Sequence, residues 1–88
     1  MGLHQIHLNY FPLSNSFTHT AKQIIGKKIK LLREKKNMTQ QELADLIKTD
    51  RQYVWKLEQG KKNITLDYLD KIAKALNVSQ DEFINTNT

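Results

Sequence analysis

Signals that begin and end short helices dominate the middle of this chain. Thr39, with Glu42 three residues later, matches a capping box, and Asp50 and Thr65 are further N-cap residues. Gly60 can take the left-handed conformation in which many helices end. Because these signals lie so close together, they predict short helices with tight connections and no strand between them.

Apolar residues on either side of this stretch extend the helical pattern. Ile25, Ile29 and Leu32 recur at spacings of four and three, which is one face of a helix. Ser79 and Glu82 match a second capping box near the end of the chain. The sequence therefore predicts an all-α fold of five short helices in one domain of 88 residues.

The first part of the chain differs in composition from the rest. Residues 1–23 contain all three histidines, the only proline and a single charged side chain, and residues 3–10 alternate weakly like a strand. We expect residues 1–23 to form a non-helical arm that is mobile or contacts a partner. The folded domain is predicted over residues 24–84, followed by a tail at 85–88.

Composition restricts the classes of function. The 14 Lys and Arg residues outnumber the 9 Asp and Glu residues, which gives a net charge of +5 and favours nucleic acid or an acidic surface as the partner. The chain has no cysteine, no apolar run that could span a membrane and no signal peptide pattern, so we expect a cytoplasmic protein. No motif indicates an enzyme, a cofactor or a metal site, and the isolated pair His4 and His7 is weak support for metal binding.

The third predicted helix, over about residues 50–59, separates into two faces. Val54 and Leu57 define its core direction, and polar side chains point away from them. Any surface helix has a polar outer face, but Arg and Gln are also the side chains that form paired hydrogen bonds with guanine and adenine. The candidate base-reading residues are Arg51, Gln52 and Lys56.

Residues near this helix strengthen the case for DNA. Gln40 follows the Thr39 cap, at a helix start where free backbone N–H groups attract phosphate. Lys61, Lys62 and Asn63 form a basic loop directly after the third helix, suited to contacts with the DNA backbone. Together these features predict double-stranded DNA as the partner.

Arg33 and Glu58 form a second kind of candidate pair. Glu58 follows Leu57 near the edge of the core, where an unpaired carboxylate would be costly. Arg33 follows Leu32 on the first helix and could neutralise it. We expect a structural ion pair that joins the first helix to the third, and the alternative is a solvated surface carboxylate.

Many positions in order and spacing resemble the lambda-repressor-like helix-turn-helix family of the Cro/XRE type. The resemblance covers about residues 24–84 and implies five helices around one core, the third of which reads DNA. It also implies that Gln40 contacts phosphate, that Arg51, Gln52 and Lys56 take base-reading positions, and that Arg33 pairs with Glu58. The matching residues are Thr39-Gln40, Leu43-Ala44, Asp50-Arg51, Tyr53-Val54, Leu57-Glu58, Gly60-Lys61, Leu76 and Val78.

Within that family, two segments are most similar to the controller proteins of restriction–modification systems. They are Asp50-Arg51-Gln52-Tyr53 and Gly60-Lys61-Lys62-Asn63. The resemblance implies that Tyr53 approaches the DNA backbone or minor groove and that Asn63 contacts phosphate. It also implies a homodimer formed by the last helix, with Phe83 and Ile84 at the interface.

Four positions depart from the family pattern, and one of them is Ile64, which replaces a common proline. Lys48 stands where the turn usually has glycine, and Thr49 replaces an apolar residue that normally packs in the core; together they suggest a slightly irregular turn. Trp55 occupies a position that is normally small. Two roles are open for it: contact with a thymine methyl or sugar, or packing back onto the protein.

These observations lead to three hypotheses. The first is a homodimeric transcription regulator that binds a pseudo-palindromic operator, with half-sites about one helical turn apart. The second is an antitoxin-type regulator whose N-terminal arm binds a protein partner. The third is a protein-interaction domain that has lost DNA binding, which the presence of Gln40, Arg51, Gln52, Lys56 and Asn63 opposes.

Overall fold

The structure, a computed structural model, describes residues 14–84 and the side chains of residues 21–83. Within this part of the chain the fold is all-helical, which confirms the predicted all-α class with five helices. None of the described helices is both long and apolar enough to cross a bilayer. The helices are α1 (Ser14–Lys35), α2 (Gln40–Leu46), α3 (Arg51–Glu58), α4 (Leu66–Leu76) and α5 (Asp81–Ile84).

The first helix begins earlier than the sequence predicted. It starts at Ser14, so residues 14–23 are helical and do not belong to a non-helical arm. Serine and asparagine near its start cost at most about 0.7 kcal/mol each relative to alanine. Extending an existing helix adds one hydrogen bond for each residue ordered, which offsets a cost of that size. The strand signal over residues 3–10 lies outside the described residues.

Side-chain caps begin α2, α3 and α4 as predicted. The Thr39 hydroxyl accepts a hydrogen bond from the Glu42 N–H at 3.0 Å, and the Glu42 carboxylate accepts one from the Thr39 N–H at 2.8 Å. Asp50 and Thr65 each accept a hydrogen bond from the N–H three residues later, at 2.8 and 3.1 Å. These bonds satisfy N–H groups that have no partner inside the helix.

Left-handed residues follow four of the helices. Asn37, Gly60 and Asn77 have φ values of 56°, 73° and 58°, and Gly60 is the helix stop that the sequence predicted. Lys48 has a φ of 60° in the turn between α2 and α3. Lys48 therefore takes the conformation that glycine usually takes there, and the turn keeps its left-handed residue at the cost of backbone strain.

All five helices contribute to one apolar core. Phe83 of α5 is 1% exposed within the single chain, so the expectation that its side chain lies at a dimer interface is wrong: its own core buries it. The side chain of Ile84 lies outside the described residues. The remaining core residues are Ile29, Leu32, Leu43, Ala44, Ile47, Val54, Leu57, Leu69, Ile72, Ala73 and Leu76.

Two glycines allow α1 to contact the end of α3 through the backbone. A Cβ atom at Gly26 would lie 2.4 Å from the Leu57 carbonyl oxygen and 2.8 Å from that of Glu58. A Cβ atom at Gly60 would lie 2.9 Å from the Gln23 Cα. Any larger residue would separate the two helices, so glycine sets the distance between α1 and α3.

Replacing Gly26 with alanine should lower stability, although alanine is the better helix former. At an exposed helical site the change would stabilise by about 1 kcal/mol. Here the added methyl group meets backbone oxygen, and we expect a net loss of about 3 kcal/mol. Urea unfolding followed by circular dichroism measures it, with the exposed α1 change Lys30→Ala as a control near zero. A stability gain in Gly26→Ala would contradict the close packing.

Replacing Lys48 with glycine should raise stability. The left-handed conformation is unfavourable for a side chain with a Cβ atom, and the gain is partly offset by the greater freedom of glycine when unfolded. We expect a net gain of about 0.5–1 kcal/mol, seen as a higher thermal midpoint. Lys36→Gly, at another exposed turn lysine, is the matched control, because Lys36 is not among the positive-φ residues. Equal effects of the two changes would contradict the strain at Lys48.

Candidate nucleic-acid interface

The α3 helix has one buried face and one polar face. Val54 and Leu57 are fully buried in the core. The side chains on the opposite side reach solvent because no other described element covers them. These outer residues are the exposed Arg51, Gln52, Trp55 and Gln59, with Lys56 half-buried among them.

The loop after α3 packs along the same side of the domain. The Lys61 ammonium lies 5.3 Å from the centre of the Trp55 ring, and the Lys62 ammonium lies 5.2 Å from the centre of the Tyr53 ring. Both are cation–π distances. Trp55 is 39% exposed, so its ring packs against Lys61 without entering the core. The loop lysines and α3 therefore form one continuous surface.

A buried ion pair joins the C-terminal end of α3 to α1. The Arg33 Nε donates to Glu58 Oε2 at 2.6 Å, and Arg33 Nη2 donates to Glu58 Oε1 at 3.1 Å. Arg33 and Glu58 are 7% and 5% exposed. The Arg33 Nη1 also donates to the Met38 carbonyl at 2.7 Å. The hydrogen bond to Glu58 raises the pKa of Arg33, against the opposing effect of burial.

Gln40 is joined to this pair, which the sequence did not indicate. Its side-chain amide donates to Glu58 Oε1 at 3.0 Å. An amide nitrogen carries two hydrogens, so one remains available for a further acceptor. Glu58, at the C-terminal end of α3, therefore orients Gln40 at the start of α2.

Sequence reasoning also missed a contact between α3 and α4. The rings of Tyr53 and Tyr68 meet edge to face, with centres 5.6 Å apart and an angle of 81°. The side chain of Thr49 also lies near Tyr68, so the polar residue at that position has a polar neighbour. Burial, and then the neighbouring Tyr53, raise the pKa of Tyr68.

Positive charge continues from α3 onto α1. Lys27 and Lys30 line an open cleft with Glu58 and Gln59 at the C-terminal end of α3. Glu58 is already neutralised by Arg33, so the two lysines dominate the charge of this cleft. The cleft adds to a surface that suits a polyanion.

The helix-turn-helix family matches residues 29–83 of this chain. The chain belongs to the helix-turn-helix family. This membership confirms the Cro/XRE-type resemblance found in the sequence. In this family fold, α2 and α3 with the turn that contains Lys48 form the helix-turn-helix unit.

Several relatives of this helix-turn-helix protein are named as control proteins. The control protein C.BamHI of Bacillus amyloliquefaciens is 33% identical over 72 residues, which are 81% of this chain and 89% of that protein. The control protein C.MunI of a Mycoplasma species is 38% identical over 61 residues, or 68% of this chain and 82% of that protein. The crystal structure of the restriction–modification controller protein C.AhdI from Aeromonas hydrophila is similar with a TM-score of 0.70 and 32% identity, covering 74% of this chain and 94% of that one.

Family and relatives together place the protein in one broad functional class. It is a helix-turn-helix transcription regulator and not an enzyme, as the sequence predicted. The similarity to controller proteins also agrees with the resemblance carried by Asp50–Tyr53 and Gly60–Asn63.

Breaking the buried ion pair should be far more costly than breaking an exposed one. Arg33→Met leaves the Glu58 carboxylate buried without its main partner, and we expect a loss of about 3 kcal/mol or more. The double variant Arg33→Met with Glu58→Leu should recover most of that loss, because no buried charge remains. Urea unfolding measures both.

The matched control for this prediction is Lys74→Met. Lys74 pairs with Asp70 at 3.0 Å, but its side chain is 78% exposed. Such a pair contributes at most about 0.5 kcal/mol. Similar losses in Arg33→Met and Lys74→Met would contradict a structural role for the buried pair.

Proposed function

We propose that this regulator is a control protein that binds double-stranded DNA as a homodimer at a pseudo-palindromic operator, with α3 in the major groove. The observation that carries the proposal is the uncovered polar face of α3, flanked by a basic loop and by Gln40. The names of the relatives supply the regulatory setting, a restriction–modification system.

Base reading is assigned to the outer face of α3. A helix that enters the major groove by its N-terminus presents its first residues to base edges. Arg51 can donate two hydrogen bonds to guanine O6 and N7, and Gln52 can form the corresponding pair with adenine N6 and N7. Lys56, one turn further on, can reach a base edge or a phosphate.

Backbone contacts are assigned to the residues around α3. Gln40 on one side and Lys61, Lys62 and Asn63 on the other would bind phosphates on the two edges of the groove. Their role is to set the register of α3 and not to read sequence. Tyr53 and Trp55, each stacked with a loop lysine, would contact sugar or phosphate beside the groove.

A homodimer follows from the symmetry of the proposed operator. Two copies related by a two-fold axis place two α3 helices in successive major grooves, about 34 Å apart along the DNA. We keep α5 as the proposed interface element. Phe83 supports α5 from within the core, so the contact would involve Ile84 and the outer surface of that helix.

The antitoxin alternative has less support. It requires a protein partner for the N-terminal arm, and none of the names of the relatives refers to one. The relatives described above carry the names of control proteins. We therefore retain transcription control as the proposed function and double-stranded DNA as the proposed partner.

Selection of bound sequences from a random duplex pool tests the proposal. The wild-type chain should enrich one symmetric motif with two half-sites about one helical turn apart. Arg51→Ala should relax the preference at a guanine position and weaken binding by about 1–3 kcal/mol. Lys74→Ala removes the same charge from the later part of α4, where Lys74 pairs with Asp70, and should keep the motif unchanged.

Two outcomes of this selection would contradict the proposal. If the wild type and Arg51→Ala selected an identical motif, the assignment of base reading to α3 would be contradicted. A single half-site without its symmetric copy would contradict the homodimer.

A further inference from the structure

Four side chains form a continuous row from the basic loop across α3 to α4. The Lys62 ammonium lies 5.2 Å from the Tyr53 ring, and the Tyr53 ring lies 5.6 Å from that of Tyr68. The Lys71 ammonium lies 5.5 Å from the Tyr68 ring. We call these residues, Lys62, Tyr53, Tyr68 and Lys71, the lysine–tyrosine row.

The two tyrosines give the row a defined position. Both rings are half-buried and pack against the apolar core. The rings of Tyr53 and Tyr68 contact each other edge to face, and Thr49 is a further polar neighbour of Tyr68. The row therefore joins the turn before α3, the first turn of α3 and the first half of α4.

The lysines at the ends of the row keep their hydrogen-bond donors. A ring face attracts an ammonium group without accepting its three N–H groups in strong hydrogen bonds. Asp67 lies one turn before Lys71 and Asp70 directly before it, but Asp70 pairs with Lys74 at 3.0 Å. Among the described residues, Lys71 contacts a ring and forms no ion pair. It is positioned as a cation for an external anion.

We propose that the row is a second DNA-backbone contact, in which Lys71 on α4 binds a phosphate beyond the groove that α3 reads. This inference rests on the proposed function. The face of α3 that carries Tyr53 can contact the DNA backbone beside the major groove only if α3 itself lies in that groove. Lys62 and Lys71, at opposite ends of the row, would bind different phosphates. Tyr68 is the positioning residue that places Lys71, since it contacts Lys71 and not the DNA.

The salt dependence of DNA binding tests the role of Lys71. The full chain is titrated with a duplex that carries the selected motif, and the logarithm of the association constant is plotted against that of the salt concentration. Lys71→Ala should reduce the slope by about 1 and leave sequence preference unchanged, because a phosphate contact releases counterions without reading bases. Lys71→Arg should restore the wild-type slope.

Lys74→Ala is the matched control. It lies on the same helix and removes the same charge, but its partner is Asp70, and its slope should stay close to that of the wild type. Tyr68→Leu keeps the charge of Lys71 and removes its ring; it should lower the slope as Lys71→Ala does. Unfolding curves for each variant verify that the protein is folded at the assay temperature.

Two results would overturn the inference and can be told apart. If the wild type binds, Arg51→Ala weakens binding, and Lys71→Ala and Lys74→Ala have equal slopes, the row is not a DNA contact although the proposed function stands. If the wild-type chain binds no duplex, the proposed function and the inference both fail.

Discussion

The buried pair of Arg33 and Glu58 determines how α3 is placed. Its 2.6 Å bond joins α1 to α3, and the further bonds to Met38 and Gln40 bring in the α1–α2 turn and the start of α2. The pair can form because Gly26 lets the backbones of α1 and α3 touch. Neither buried charge is well hydrated, so each needs the other as its partner, and this requirement fixes the relative position of the two side chains. The orientation of α3 relative to α2 follows from that geometry.

Residues on the surface near this pair have different roles that depend on which way they face. Apolar residues of α3 face the core, whereas Arg51, Gln52 and Lys56 are available for base edges. Basic side chains surround this face on the loop, on α1 and on α4, and several are placed by aromatic rings and not by carboxylates. A lysine placed by a ring keeps its donors for phosphate. The same core that stabilises the domain therefore also arranges its positive charge for DNA.

Features set by neighbouring residues could be predicted from the sequence. The Thr39 capping box, the Asp50 and Thr65 caps and the left-handed Gly60 depend on a few consecutive residues and were predicted correctly. Features set by packing could not. The burial of Phe83, the bond from Gln40 to Glu58 and the contact of Tyr53 with Tyr68 join residues on separate helices, and no spacing in the sequence indicates them. The early start of α1 was missed because residues 1–23 differ in composition from the rest of the chain, which suggested an arm.

In the proposed complex, DNA binds to the outer face of α3 and to the loop beside it. The most direct measurement is a titration of the ¹⁵N-labelled chain with duplex DNA, monitored through the backbone amide signals. We expect the largest shifts at residues 51–56 and 61–63 and at Gln40, with small shifts in the core of α4. Shifts confined to α5 or to the surface of α1 around Leu31, with α3 unaffected, would contradict the proposed complex.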